Sequence, residues 1–322
     1  MTFENQPTEV GDVSPTSVAH IIGQQSVVEQ VKVSIEAAFQ DRRRFDHALL
    51  VGPPGMGKSA LASVIAQEMA TPFAEVLGQS LRTASDLNGL LLQASDKAVL
   101  HIDEAHELPK SIQTALYLAL DKRRVFVNGS RMVTAIPISD FSLLLSTTDE
   151  YHLLQPLRDR MRLVLRFEFY SENDLTKLLR HRVKALGWDV REELFPLIAA
   201  RSRGTPRLAL RLLQSARRVC RAEGEETIAP THLQRACVLE QLDDLGLGVT
   251  EQQFLRLLVD GPVRLNVLSS SLGLPARTIS QVTEPFLVRA GLIVKDEQSR
   301  RSLTAKGYEH VAKQRQQFVP ST

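Results

Sequence analysis

Short apolar runs alternate with amphipathic stretches over the first half of the chain. Apolar runs at 47–51, 73–77, 98–102, 141–146 and 163–167 are separated by stretches with helical periodicity, at 26–39, 58–69 and 109–120. Apolar runs without polar alternation are typical of strands that are covered on both faces. The pattern therefore predicts an α/β fold in which a parallel sheet lies between two layers of helices.

A different pattern interrupts this alternation after the third helical stretch. Residues 125–127 are apolar and lead into Asn128-Gly129, and a second β-prone run follows at 132–136. Asn-Gly between two such runs is the strongest short signal for a β-hairpin. We therefore predict a projecting hairpin whose flanks are basic, with Lys122, Arg123, Arg124 and Arg131.

The second half of the chain carries two further patterns. Residues 172–242 show only helical periodicity, and the acidic, glycine-containing stretch 243–248 ends it. Three short helical stretches and two short β-prone runs, at 292–296 and 300–304, follow and indicate a winged helix-turn-helix. We predict a loose tail at 1–15, a large α/β domain at 16–170, a helical domain at 171–243 and a winged-helix domain at 244–322.

Composition and charge narrow the class of protein. A chain of 322 residues with 43% hydrophobic and 24% charged residues is that of an ordinary folded protein of two or three domains. Cys220 and Cys237 are the only cysteines, which excludes a disulfide scaffold. No apolar run is long enough for a membrane span, and the N-terminus lacks a signal-peptide pattern, so a cytoplasmic location is expected. The net charge of +2 gives no overall attraction to nucleic acid, so DNA contact requires a local patch.

A phosphate-binding loop lies between the first apolar run and a helical stretch. Residues 52–59 (GPPGMGKS) satisfy the pattern G-x-x-x-x-G-K-[ST] in this strand-to-helix context. Glycines allow successive backbone N–H groups to surround a phosphate, a lysine neutralises its charge, and a serine hydroxyl binds Mg²⁺. The sequence therefore predicts a site for ATP and Mg²⁺, with nucleotide-binding residues Gly52, Gly55, Gly57, Lys58, Ser59 and Ala60.

Two acidic residues end the third apolar run. Asp103 would hold Mg²⁺ together with Ser59, and Glu104 would act as general base on the attacking water. Without the phosphate-binding loop the acidic pair would be an ordinary solvated start of a helix. His106 completes the tetrapeptide Asp-Glu-Ala-His, and we interpret it as a surface residue or a residue behind the site.

Several motifs occur together in the order found in one family of motor proteins. These motifs are 52–59, 103–106 (DEAH), 146–148 (STT), 156–160 (PLRDR), 167–170 (FEFY), 201–207 (RSRGTPR) and 284–287 (EPFL). On these motifs the chain resembles, from about residue 21 to residue 313, the RuvB family of AAA+ ATPases, which drive branch migration of Holliday junctions.

The resemblance implies roles for residues outside the phosphate-binding loop. Thr148 would be sensor 1, Tyr170 would contact the nucleotide base, and Arg207 would be sensor 2. Arg160 would be the arginine finger that reaches the nucleotide of a neighbouring subunit. Arg158 lies two residues away, so the sequence leaves open which of the two arginines has this role.

The resemblance also implies an assembly and its partners. Family members form a hexameric ring on DNA, either a duplex or a four-way junction, and work with RuvA, a junction-binding protein held by the hairpin. DNA contacts would come from Arg277, Lys295, Arg300 and Arg301 in the winged domain. The chain departs from the family in its short, basic hairpin, in Ser14-Pro15 near the adenine, and in His101 within the third apolar run.

The sequence supports three functional hypotheses of different classes. The first is an ATP-driven DNA translocase of the RuvB type. The second is a regulatory or clamp-loader-like ATPase whose ATP state controls a protein partner. The third, a DNA-binding module with a decayed ATP site, ranks last because Lys58, Ser59, Asp103, Glu104 and Arg207 are all present.

Overall fold

A computed structural model of the protein describes residues 9–10, 14–128 and 133–317. Most of the predicted tail, together with Gly129 and Arg131 of the predicted hairpin, lies outside the described residues. The chain divides into two compact units. The first comprises Met1–Leu186 and Thr205–Arg207, and the second comprises Gly187–Gly204 and Leu208–Thr322.

The described residues of the first unit form a five-stranded parallel sheet, a separate antiparallel strand pair and six α-helices. Its strands are β1 (Ala48–Val51), β2 (Phe73–Leu77), β3 (Val99–Asp103), β4 (Arg124–Asn128), β5 (Val133–Pro137), β6 (Ser142–Thr147) and β7 (Leu163–Arg166). Its helices are α1 (Gln25–Gln40), α2 (Lys58–Glu68), α3 (Ala84–Gln93), α4 (Lys110–Lys122), α5 (Gln155–Arg158) and α6 (Glu172–Leu186). The sheet has the order β2-β3-β6-β1-β7, while β4 and β5 pair antiparallel as the predicted hairpin.

Helices cover both faces of this sheet, as the sequence predicts. Alternate residues of β1 point to opposite faces. Leu50 belongs to a buried cluster that includes Val31 of α1 and Ile65 of α2. Leu49 belongs to a second cluster that includes Leu116 of α4. The sheet therefore separates two apolar cores, and none of its strands alternates apolar with polar residues along its whole length.

The parallel register brings three strand ends to one edge of the sheet. Val51 at the end of β1 pairs with Thr147 at the end of β6, and β3 pairs with β6 on its other side. The phosphate-binding loop follows β1, and Asp103 ends β3. The strand register thus brings together, at this edge, the segments predicted to bind phosphate, to bind the metal ion and to carry the sensor.

The second unit is helical with a small antiparallel sheet. Its helices are α7 (Leu194–Arg201), α8 (Pro206–Ala222, whose first two residues group with the first unit), α9 (Pro230–Leu239), α10 (Val249–Leu257), α11 (Leu265–Leu272), α12 (Ala276–Thr278), α13 (Glu284–Arg289) and α14 (Ala305–Gln317). Its strands β8 (Val263–Arg264), β9 (Ile293–Lys295) and β10 (Arg300–Leu303) form a sheet in the order β8-β10-β9. Among the described residues, no helix combines the length and the apolar character needed to cross a membrane.

Three elements differ from the sequence prediction. Helices α3 and α14 are absent from the prediction, although Thr83 and Asp86 form a capping box at the start of α3. The helical stretch predicted at 276–289 is interrupted by a π-helical turn, Ile279–Thr283. Pro285 follows this turn, and its missing amide hydrogen leaves the regular helical hydrogen-bond pattern incomplete there.

A histidine at the start of β1 gives the first unit a pH dependence. His47 Nδ1 accepts a hydrogen bond from the backbone N–H of Leu143 at 2.9 Å. Burial, assisted by the charge of Arg44, lowers the pKa of His47 to about 3. The neutral imidazole is therefore part of the connection between β1 and β6.

We expect the free energy of unfolding to fall as the pH drops from about 6.5 towards 3. The unfolded chain protonates His47 near pH 6.5 whereas the folded chain does not, so the unfolded state binds more protons in this window. The variant His47→Asn keeps an amide oxygen that can accept the same N–H but has no group that titrates here. Its free energy of unfolding should therefore change less steeply with pH, by up to about 1.4 kcal/mol per pH unit. Denaturant unfolding at a series of pH values above about 5, where carboxylates contribute little, measures this slope. An unchanged slope would contradict the prediction.

Candidate nucleotide site and nucleic-acid interface

The phosphate-binding loop is closed by its own lysine. Gly57 has φ +95°, a conformation that residues with a side chain rarely adopt. The Lys58 ammonium is buried and donates hydrogen bonds to the carbonyls of Gly52 at 2.8 Å and Pro53 at 2.9 Å. Burial lowers the pKa of Lys58, and the nearby charge of Glu104 opposes this shift. The loop therefore holds a buried amine next to its own carbonyls, where the amine can neutralise the charge of a bound phosphate.

Two oxygen ligands for a metal ion lie together beside the loop. Ser59 Oγ donates to Asp103 Oδ2 at 3.0 Å, and Asp103 Oδ1 accepts the backbone N–H of Glu104 at 3.0 Å. A hydroxyl and a carboxylate are the ligands that Mg²⁺ takes beside nucleotide phosphates. The two side chains thus fit the predicted magnesium site, and the N–H bond fixes the orientation of Asp103.

Arg207 lies against the phosphate-binding loop. Its backbone N–H donates to the carbonyl of Gly55 at 3.4 Å. A Cβ placed on Gly55 would be 2.9 Å from Arg207 Cβ, which is closer than real Cβ contacts. The charge of Arg207 also adds to the lowering of the Lys58 pKa. Gly55 is therefore the residue that lets Arg207 approach the loop, while Ala60 lies in the first turn of α2.

Tyr170 also contacts the phosphate-binding loop. Its hydroxyl donates to the carbonyl of Met56 at 3.5 Å, and burial raises its pKa to about 12. A Cβ on Gly23 would be 2.8 Å from Tyr170 Cε1, so the ring lies directly against that backbone. The Gln24 amide pairs with both backbone groups of Glu168 and holds the two segments together. The ring is therefore held next to the loop that would bind the nucleotide.

The predicted sensor and finger residues lie on the surface of the first unit. Thr148 is exposed and directly follows β6, which ends at the buried Thr147. Arg160 forms a two-pronged ion pair with Asp121 of α4, and its guanidinium lies 5.0 Å from the centre of the Tyr117 ring. The alternative finger, Arg158, lies over the ring of Tyr151 at 5.4 Å and bonds to Gln155.

Two histidines that the sequence analysis gave no chemical role contact the segments at this edge. His101 is buried in β3, where its Nδ1 lies 2.9 Å from Glu75 Oε1 and its Nε2 lies 2.6 Å from Ser146 Oγ. Burial lowers the pKa of His101, which favours its neutral form.

Of the two interpretations of His106, a surface residue or a residue behind the site, its contacts favour the second. Its Nδ1 lies 3.2 Å from Thr147 Oγ1 and 3.4 Å from Glu104 Oε2. The tetrapeptide itself could have predicted these contacts, because it places His106 two residues after Glu104 at the end of the strand.

The winged domain requires a correction to the predicted DNA contacts. Arg301 is buried and bonds through two nitrogens to Glu284, which is itself buried, and Lys295 Nζ lies 2.6 Å from the same carboxylate. Burial alone would raise the pKa of Glu284, but the hydrogen bonds and charges of Arg301 and Lys295 outweigh it and hold the pKa below its usual value. Arg301 is therefore a structural cation and cannot reach a phosphate.

The other two predicted DNA-contacting residues are exposed or half-buried. Arg300 donates to Asp296 Oδ2 at 2.7 Å, across the turn between β9 and β10. Arg277 is exposed and bonds to Gln281 at 3.0 Å, one turn further along. Lys295, Arg300 and Arg301 each form an ion pair with a carboxylate, whereas the contact described for Arg277 is with the neutral side chain of Gln281.

These features together define an AAA+ P-loop ATPase: the phosphate-binding loop, the acidic pair at the strand end, the helix start that carries Arg207, and the winged helix. Residues 13–167 match the P-loop domain family of the Holliday junction DNA helicase RuvB. Residues 170–243 match the RuvB AAA lid domain, and residues 244–312 match the RuvB C-terminal winged helix domain. The chain belongs to the RuvB family.

Relatives and solved structures agree with this assignment. The RuvB subunit of the Holliday junction branch migration complex from Kosmotoga olearia is 33% identical over 95% of this chain and 93% of its own length. The corresponding subunit from Lactobacillus gasseri is 35% identical over 94% of this chain and 92% of its own. Thermotoga maritima RuvB, solved as a branch migration motor, superposes with a TM-score of 0.79 at 32% identity, covering 92% of this chain and 97% of that one.

We expect Gly55→Ala to weaken nucleotide binding at least about tenfold. The added Cβ would meet Arg207 Cβ at 2.9 Å, and the φ of +79° is strained for alanine. Gly89→Ala is the matched control, since Gly89 lies in α3 with no atom near the added methyl group. Titration with a fluorescent ATP analogue compares the two variants. Equal affinities for Gly55→Ala and Gly89→Ala would overturn this role of Gly55.

We expect Arg301→Ala to destabilise the protein by about 3 kcal/mol, because it leaves the buried Glu284 carboxylate with only Lys295 as a charged partner. Arg277→Ala should change stability by less than about 0.5 kcal/mol, since Arg277 is exposed. Urea unfolding of the two variants and the parent measures the difference. If Arg301→Ala were as stable as the parent, the buried pair would not have this structural role.

Proposed function

We propose that this protein is an ATP-driven DNA motor that moves four-way junctions, as its relatives' names describe for them. The observation that carries the proposal is the set of groups around one loop. Lys58, the Ser59–Asp103 pair and Arg207 converge there in a chain that matches RuvB proteins over nearly its whole length. Each group has the chemistry needed for a nucleoside triphosphate with a divalent cation.

The residues of the first unit divide the work of hydrolysis. The Lys58 ammonium and the loop N–H groups neutralise the phosphates, while Thr148 and Arg207 contact the γ-phosphate. Ser59 and Asp103 would hold Mg²⁺, which supplies charge neutralisation at the phosphates when bound. Glu104 accepts the proton of the attacking water. The ring of Tyr170, held against the loop, contacts the nucleotide base.

The proposed assembly is a ring in which each subunit completes its neighbour's nucleotide site. Arg160 acts as the finger in trans, with Arg158 as the alternative. The Asp121 partner of Arg160 is exposed, so the guanidinium can exchange this ion pair for a phosphate at modest cost. A hexameric state follows from the family resemblance.

The winged domain would hold DNA and the hairpin would hold a partner. We propose Arg277, Arg300 and Lys295 as phosphate contacts and omit Arg301. A junction-binding protein like RuvA is the proposed partner of the β4–β5 hairpin. We retain the domain boundaries 16–170, 171–243 and 244–322, and a cytoplasmic location, as parts of this proposal.

A regulatory ATPase is the second candidate, and one observation favours it. Arg300 and Lys295 each lie beside an acidic group, Asp296 and Glu284, so the wing presents little uncompensated positive charge. Such a wing is better suited to a protein surface than to a phosphate backbone.

Branch migration of a synthetic four-way junction distinguishes these two functions. We expect ATP-dependent strand exchange by the parent, with or without an added RuvA-type protein, and none by Lys58→Ala. Glu104→Gln should bind ATP but hydrolyse it at least about 100-fold more slowly, because an amide cannot accept the proton of water. Hydrolysis by the parent without junction movement would favour the regulatory function. Normal turnover by Glu104→Gln would reject Glu104 as the base.

We expect Arg160→Ala to bind ATP normally and to hydrolyse it about 1,000-fold more slowly. Mixing Arg160→Ala with Lys58→Ala subunits should restore part of the activity, since some interfaces then combine an intact loop with an intact finger. Phosphate release from the separate and mixed variants measures this complementation. If Arg158→Ala loses activity while Arg160→Ala retains it, Arg158 is the finger.

A further inference from the structure

We propose that His106 is a positioning residue that holds the Glu104 carboxylate and connects it to the end of β6. The inference rests on the proposed function, in which Glu104 is the general base. It assigns His106 a role in the reaction without contact to the nucleotide or the reacting water.

The geometry places one nitrogen of His106 between the two segments. Nδ1 lies 3.4 Å from Glu104 Oε2 and 3.2 Å from Thr147 Oγ1, while Nε2 faces Glu107 Oε1 at 3.6 Å. Thr147 is fully buried at the end of β6, and His106 is largely buried. A single N–H on Nδ1 is thus within reach of both the base and the sensor strand.

The backbone around Glu104 explains why its side chain needs such a contact. Glu104 has φ +50°, and the short 3₁₀ turn Ala105–Glu107 follows it. Its carbonyl is packed so closely against Gly78 that a Cβ there would be 2.5 Å away. The backbone of Glu104 is therefore held tightly. Its carboxylate is half-exposed, and the imidazole of His106 lies beside it at 3.4 Å.

Thr147 has the hydrogen-bonding capacity that this connection requires. Its Oγ1 already accepts the backbone N–H of Asp149 at 3.0 Å. The hydroxyl oxygen still has one lone pair, which can accept the Nδ1–H of His106. Asp149 follows Thr148, the proposed sensor, so the same hydroxyl shapes the backbone on which the sensor lies.

A second histidine makes the neighbouring connection inside the sheet. His101 of β3 bonds to Ser146, and His106, just beyond β3, bonds to Thr147. Consecutive residues of β6 are thus each bonded by a histidine that flanks Asp103 and Glu104. Displacement of the sensor strand would be transmitted to the base through His106.

Three substitutions at His106 test the role of Nδ1. The amide nitrogen of asparagine takes the place of Nδ1, that of glutamine takes the place of Nε2, and leucine has neither. We expect kcat for ATP hydrolysis to fall on the order of 10- to 100-fold in His106→Leu and His106→Gln, with little change in KM, and to be largely restored in His106→Asn. His181→Asn, an exposed change on α6, is the control.

A double-mutant cycle tests the connection to β6. Thr147→Val removes the hydroxyl at nearly constant volume, and Thr147→Ser retains it. If the two residues act together, Thr147→Val combined with His106→Leu should lower kcat little further than His106→Leu alone. Additive losses, or equal kcat in His106→Leu and His106→Asn, would overturn the inference.

The variant Glu104→Gln separates this inference from the proposed function. If Glu104→Gln hydrolyses ATP normally, Glu104 is not the base and the proposed function of the site fails. If Glu104→Gln is inactive while His106→Leu keeps the parent kcat, the function stands and the positioning role of His106 is rejected. Circular dichroism and thermal unfolding of each variant show whether a loss of kcat reflects a loss of folded protein.

Discussion

The parallel hydrogen-bonded register of β1, β3 and β6 is the constraint on which the rest of the site depends. Parallel strands end at the same edge, so Val51, Asp103 and Thr147 are brought together although they are far apart in sequence. The strand register is therefore sufficient to place the loop that follows β1 beside the acidic pair that ends β3. The apolar cores on both faces hold the sheet in this register, since a slip by one residue would turn buried side chains to the wrong face.

Buried charges in this protein have partners, and the partner decides what each charge can do. Lys58 is held by two carbonyls of its own loop, which a phosphate could replace, so this buried amine is suited to binding. Arg301 is held by a carboxylate that is itself buried, and separating that pair would leave an unpaired charge in the interior. Arg277 is also an arginine but is exposed, so moving its side chain leaves no unpaired charge in the interior. A cation that is itself buried against a buried carboxylate is therefore structural, whereas Lys295, which shares Glu284 but has a half-exposed side chain, remains available to a ligand.

The two histidines extend the site behind its directly acting groups. His101 links three neighbouring strands through Glu75 and Ser146, and His106 links the strand end to Glu104. A polar group inside a sheet is tolerated only when its hydrogen bonds are made, and His101 makes both. These contacts add side-chain connections between β3 and β6 to the backbone hydrogen bonds of the sheet.

The sequence by itself determined the fold class, the phosphate-binding loop and the family, because these depend on local patterns such as the apolar runs and the motif at 52–59. It did not predict α14, whose polar surface gives little periodic signal, with Val311 among its few buried apolar residues. Only the tertiary structure decided that Arg301 is buried against Glu284 while Arg277 is exposed, since both are arginines in polar surroundings along the chain. It also decided the partners of His101 and His106. The physical reason is that burial and pairing depend on neighbours from distant segments, which a local pattern does not contain.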